Sequence, residues 1–276
     1  MQPLRKSCHE INNKALQMFV AAVFILSAMC PLLLAQETNA PYTNVRELRG
    51  MPLHQVIYVF RSPFVPDVDV KVVVHTPTKM EQGKRYPVLY MLNEYPGNSH
   101  ANWLEVERLK LFDTYQIICV NAGYPTMPWY ADHPSNPHLR QEQFFLKAVI
   151  PLVDSRQPTI AEGKGRYLIG YSKGGFGAFT LLLRNPDMFA RAAAWDAPLS
   201  LDKPDQWDMA TVYETQENYN KYAPFKLLRE KADLFRNKPT RFILLGYGLF
   251  PCETKQTHEL MTELSIPHYY DNSTKR

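Results

Sequence analysis

Cysteine is sparse in this chain of 276 residues, which carries four, and none forms a C-x-x-C pair of the kind that holds structural zinc. Cys8 and Cys30 fall within residues 1–35. Cys119 lies inside the strand-like run Gln116–Asn121 and Cys252 in a loop after a different strand, so no structural disulfide between them is expected. Cys119 reads instead as a small buried apolar residue. No phosphate-binding G-x-x-x-x-G-K-[ST] loop occurs and no segment repeats, which removes P-loop enzymes and solenoid scaffolds from consideration. Charge of one sign is also scarce. The formal net charge is +4, and residues 1–35 hold three basic residues against one acidic residue, which leaves about +2 on the remainder. So small an excess argues against nucleic acid as the main partner.

Long hydrophobic runs are confined to one place. Ala15 to Ala35 is apolar apart from interruptions such as Ser27 and Pro31, and it follows Arg5, Lys6 and Lys14. That order reads as a signal peptide over 1–35 cleaved after Ala35, and predicts a secreted or periplasmic protein. Leu33 is larger than the residue usual before such a site. An uncleaved anchor is the alternative, and only then is a membrane a partner. Met29 stands where a small residue is wanted for lipid attachment at Cys30. Residues 36–55 are polar and proline-bearing and are expected to form a linker. Residues 56–276, in a chain with 45% hydrophobic residues, suit one domain.

That domain alternates. Val56–Arg61 and Asp69–Thr76 are β-branched runs expected to pair antiparallel. Tyr86–Leu92, Tyr115–Asn121, Arg166–Gly170, Ala190–Ala194, Arg241–Leu245 and Ile266–Tyr270 read as further strands. Helical segments are expected at 104–111, 141–153, 176–183 and 257–264. The fold class is α/β, a mostly parallel central sheet with helices on both faces. The stretch 122–140 is expected to form a long ordered loop over one end of the sheet, and 199–237 a polar and aromatic insertion.

The chemistry concentrates at Gly170-Tyr-Ser172-Lys-Gly174. A strand runs directly into it and a helix directly out, the setting that a G-x-S-x-G nucleophile elbow requires. A serine on so sharp a turn crowds the positions two before and two after it, which explains the glycines. The turn lifts the Ser172 hydroxyl clear of the sheet and aims the Lys173 backbone N–H at the place where an oxyanion forms. Serine needs a base, and the base needs an orienting carboxylate, in the chain order serine, acid, histidine. Glu253, after the strand at 241–245, is the first candidate acid, and Asp196, at the end of the preceding strand, is the alternative. The second oxyanion donor is expected from the loop after 86–92, at the Tyr95 N–H. Trp103, Trp129 and Tyr130 are candidates for an acyl pocket. The histidines at 258 and 268 fall within a helix and a strand, and those at 100, 133 and 138 precede the serine. The base is therefore expected beyond Arg276, on a domain truncated at its C-terminus.

Tyr86-Pro-Val-Leu-Tyr-Met-Leu92, the serine elbow with Gly175 and Gly177, and Arg184-Asn-Pro-Asp-Met-Phe-Ala190 together resemble the esterase D-like branch of the α/β-hydrolases, the putative-esterase family. The resemblance runs from about Val56 to the end. It implies an α/β-hydrolase fold, Ser172 as an acyl-forming nucleophile, and the amides of Lys173 and Tyr95 as the oxyanion hole. It implies a small-molecule or glycan-linked ester as substrate, and no metal or organic cofactor. The chain departs from the family at Asn93-Glu94, where a histidine–glycine or aspartate–glycine pair is usual. A non-catalytic binding protein on this fold, and an acyltransferase with the same acyl-enzyme, are the competing readings.

Overall fold

The computed structural model describes residues 41–50, 52–94, 100–246 and 248–273, the side chains of 100–104 excepted. The expected leader, Trp103 as a pocket residue, and Tyr95 therefore lie outside the described residues.

Nine strands form one sheet: β1 (Thr43–Arg49), β2 (Gln55–Arg61), β3 (Val70–His75), β4 (Val88–Leu92), β5 (Ile118–Ala122), β6 (Arg166–Tyr171), β7 (Arg191–Trp195), β8 (Phe242–Leu245) and β9 (His268–Asp271). Their spatial order is β1-β2-β3-β5-β4-β6-β7-β8-β9. The first three strands and the β3–β5 pair are antiparallel, and every later pair is parallel. This agrees with the expected α/β class. The linker expected over 36–55 is corrected by β1, which pairs with β2 from Thr43↔Arg61 to Arg49↔Val56. The strand is polar because it is an outer edge with almost every residue exposed, so it lacks the apolar alternation that marks a half-buried strand.

Central strands are apolar for the opposite reason. Ile118, Cys119, Val120 and Ala122 of β5 are all at most 5% exposed, because helices cover both faces. Burial pushes the Cys119 thiol up to about 12, so it stays a neutral packing group. Helix α1 (His100–Leu109) follows β4, and α2 (Ile150–Arg156) precedes β6. The periodic run expected as one helix over 141–153 is helical but not uniform. Gln141–Gln143 leads into a wider π turn at Phe144–Val149 before α2 begins. Pro151 at the start of α2 has no N–H to give, and the loosened turn ahead of it accommodates the ring.

Helix α3 (Lys173–Arg184) springs from β6 and is buried from Lys173 to Leu183. Three short helices follow β7: α4 (Met209–Tyr213), α5 (Gln216–Asn220) and α6 (Pro224–Glu230). Their aromatics do more than fill space. Tyr213 Oη donates to the Trp129 carbonyl at 3.2 Å, and Tyr222 Oη accepts from the Asp132 N–H at 3.1 Å. The stretches 122–140 and 199–237 are thus bolted together over the carboxyl ends of the parallel strands. Helix α7 (Pro251–Glu263) starts earlier than its periodicity predicts, and it takes in Cys252 and Glu253, both expected in a loop. Pro251 supplies the start signal, since proline is preorganised for a first helical turn.

Candidate active site

Ser172 sits between the last residue of β6 and the first of α3, at φ 51° and ψ −121°. That strain persists because the surroundings fix it from several directions. The Ser172 N–H donates to the Trp195 carbonyl of β7 at 2.9 Å, and the Ser172 carbonyl accepts from the N–H groups of Gly175 and Phe176 at 3.0 and 3.1 Å. The glycines are needed for space. A methyl group on Gly170 would stand 2.0 Å from the Gly174 carbonyl carbon, and one on Gly174 would stand 2.4 Å from the Leu92 carbonyl oxygen. Strand, turn and helix are locked into contact at distances no other residue permits.

The serine opens on a cavity of about 630 Å³. Its walls are mostly apolar: Trp129 from the stretch after β5, Trp207 from the stretch after β7, Leu249 and Phe250 after β8, with Tyr171 and Pro198. Trp207 and Phe250 meet edge to face, with ring centroids 5.6 Å apart, and the Trp129 indole donates to the Trp207 carbonyl at 3.1 Å. Trp207 and Asp208 both have positive φ, 48° and 59°, so the rim holds two consecutive left-handed residues. Of the three acyl-pocket candidates, Trp129 lines the cavity. Tyr130 is buried behind it and donates to the Asn93 carbonyl at 3.2 Å.

Among the described residues of the lining, Ser172, Tyr171, Glu94 and Lys173 carry hydroxyl or charged groups. Lys173, expected to matter through its backbone N–H, also contributes a side chain. The residue is 2% exposed, its Nζ lies 2.7 Å from Met127 Sδ and 5.8 Å from the centre of the Trp129 ring. Burial pushes its ammonium down to about 7, while the charges of Glu94 and Asp208 pull the other way. Sequence patterning could not show this, because helix periodicity does not predict a buried lysine at a first helical turn.

Asp196 follows β7 at φ 47° and is 1% exposed. Its Oδ2 accepts from the Leu249 N–H and its Oδ1 from the Phe250 N–H, both at 2.7 Å. The carboxylate therefore pins the two residues that form one wall of the cavity. Glu253 lies in the first turn of α7, half-buried, outside the cavity lining. The chain leaving β4 at Asn93 is held by an amide pair that has no local signal in the sequence. Asn121 Nδ2 donates to Asn93 Oδ1 at 2.7 Å, and Asn93 Nδ2 donates to the Ala122 carbonyl at 2.7 Å.

Among the described residues no histidine lines the cavity. His258 Nδ1 and His268 Nε2 are 2.8 Å apart, bridging α7 and β9. His133 Nδ1 accepts from the Asn136 N–H at 3.0 Å. His54 and His75 both reach Glu107, at 3.0 and 3.1 Å. Each of these is tied into local structure.

The comparisons with known proteins bear on the family and the fold. An esterase of Mycobacterium tuberculosis is 30% identical over 131 residues, which are 43% of this chain and 27% of that protein, so the chain spans little more than a quarter of that relative's length. Two solved structures share the fold at low identity. One is FphF, a fluorophosphonate-binding serine hydrolase of Staphylococcus aureus, with a TM-score of 0.67 at 13% identity, covering 79% of this chain and 89% of its own. The other is an S-formylglutathione hydrolase of Agrobacterium tumefaciens, with a TM-score of 0.65 at 16% identity, covering 83% of this chain and 90% of its own. The sheet order, the elbow and these likenesses define an α/β-hydrolase fold, and with residues 65–249 matching the family's model the chain belongs to the putative esterase family.

Proposed function

We propose that this protein is an exported serine esterase that cleaves carboxylic esters through an acyl-enzyme on Ser172. The observation that carries the reading is the strained Ser172, raised at the head of α3 into an apolar cavity of about 630 Å³. Ser172 Oγ attacks the ester carbonyl as its proton passes to a base. The tetrahedral oxyanion is met by the Lys173 N–H at the helix terminus. Collapse expels the alcohol, which takes the proton from the base, and water then releases the acid by the reverse sequence. The aromatic walls suit an acyl group with flat or hydrophobic character, and the substrate is a small-molecule or glycan-linked ester. Export rests on the basic and then apolar order of residues 1–35.

A binding role is the second reading, favoured by Glu94, an acidic residue in the lining of the same cavity. Labelling by a fluorophosphonate probe separates the two. The esterase reading expects Ser172-dependent labelling of this chain, or of one extended past Arg276, and loss of it in Ser172→Ala. Absence of labelling in both chains would leave the binding role. If Ser172 labels, product analysis with an added alcohol acceptor distinguishes hydrolysis from acyl transfer.

A further inference from the structure

Glu94 and Lys173 are the two charged side chains in the wall of the Ser172 cavity. Both neighbour the place where the elbow is expected to hold an oxyanion. Lys173 is the residue whose N–H faces the developing negative charge, and Glu94 lies two residues past the end of β4, in the loop from which a second donor is expected. The position of Glu94 is where the family resemblance leads one to expect a glycine. A carboxylate there opposes an oxyanion across a cavity with mostly apolar walls, and a like charge disfavours the intermediate. A buried lysine stands in the same cavity wall. The Lys173 amine is carried inward, packed on Trp129 and Met127, and the residue keeps only 2% of its surface exposed. A buried ammonium is costly unless a charge compensates it. Among the described residues, the charges of Glu94, two residues past β4, and of Asp208, immediately before α4, act to keep it protonated. Glu94 is the one that shares the cavity wall.

We infer that Lys173 and Glu94 form a charge-compensating pair that makes the oxyanion side of Ser172 tolerant of a carboxylate, so that the lysine is a second electrostatic determinant of reactivity beyond its backbone N–H. The inference rests on Ser172 being the nucleophile, and it assigns the two residues interdependent roles. Glu94 keeps the lysine charged. The charged lysine keeps Glu94 from repelling the intermediate. Since burial brings the ammonium to about 7, the compensation is present below that pH and is lost as the amine deprotonates above it.

Two measurements test the pair on the full chain, or on the extended chain if only that one labels. The first reads the lysine itself, by NMR titration of 13Cε-labelled lysine, with Lys173→Met used for assignment. Glu94→Gln is expected to move the Lys173 titration down by roughly one pH unit, since an attractive charge is removed. An unmoved titration would overturn the pair whatever the serine does. The second reads fluorophosphonate labelling of Ser172 against pH. Lys173→Met is expected to slow labelling at about pH 6.5 by about tenfold or more, a loss within the range of one removed oxyanion donor. Lys173→Met with Glu94→Gln should recover most of it. Lys173→Arg, which cannot deprotonate, should abolish the decline of labelling above about pH 7. Equal loss in the single and double variants would make Lys173 a packing residue and sink the inference. A wild-type serine that never labels, beside a lysine that does respond to Glu94→Gln, would overturn the catalytic role of the pair together with the esterase reading.

Discussion

Two carboxylates flank Ser172 and are handled in opposite ways. Asp196, toward β8, is 1% exposed with both oxygens taken by backbone N–H groups of Leu249 and Phe250. Glu94, toward β5, is half-buried and faces the cavity alongside a buried lysine. The first carboxylate is spent on architecture, since two amide donors meet its charge and fix a wall. The second belongs to a residue in the cavity lining and has a proposed rather than an architectural role. Burial alone therefore does not separate a structural carboxylate from a chemical one. What distinguishes Asp196 is that both its oxygens are taken by backbone N–H groups.

This contrast breaks most visibly at Asp196. Asp196→Ala leaves two buried amides without their charged acceptor and is expected to cost about 4 kcal/mol, measured as a fall in the urea midpoint at unchanged slope. Asn121→Ala attacks the opposite root, where the amide bond to Asn93 holds the loop after β4, and should cost about 2 kcal/mol. The third effect is a slope. The Lys173 ammonium titrates near 7 in the folded protein and near 10.5 when unfolded. Between those values the unfolded chain binds the extra proton, so this group makes stability rise with pH. Relative to Lys173→Met, the wild type should gain about 2 kcal/mol from about pH 7 to about pH 9, read by chemical denaturation across that range. Smallest of all is Glu94→Gln, expected to change stability at neutral pH by less than about 1 kcal/mol, because its carboxylate retains access to solvent. A loss from Glu94→Gln as large as that from Asp196→Ala would erase the distinction.

The sequence exposes some of this and hides the rest for identifiable reasons. The elbow is legible because its glycines answer a steric demand between residues four apart, Gly170 and Gly174, which sequence can show. The parallel strands are legible because burial on both faces forces apolar runs. Strand β1 is not, since an exposed edge demands no pattern from Asn44, Arg46, Glu47 and Arg49. Asp196 could be placed at a strand end, yet its two donors lie 53 and 54 residues further on, beyond any local signal. For Glu253 the overlooked cue was Pro251, which opens α7 and carries the glutamate into a helix. The inward turn of Lys173 had no cue, because its burial depends on Trp129 and Met127 arriving from another segment.

One consequence of the strand order concerns the birth of the protein rather than its finished form. Strand β4 lies between β5 and β6, both of which follow it in the chain, so its neighbours are synthesised only at residues 118–122 and 166–171. A ribosome adding about 5–20 residues each second leaves the apolar Val88–Leu92 without a second neighbour for several seconds. Until β6 emerges, the strand that anchors the loop of Asn93 and Glu94 is an open template for any other extended chain. The second neighbour of β4 is thus supplied by the strand that leads directly into Ser172.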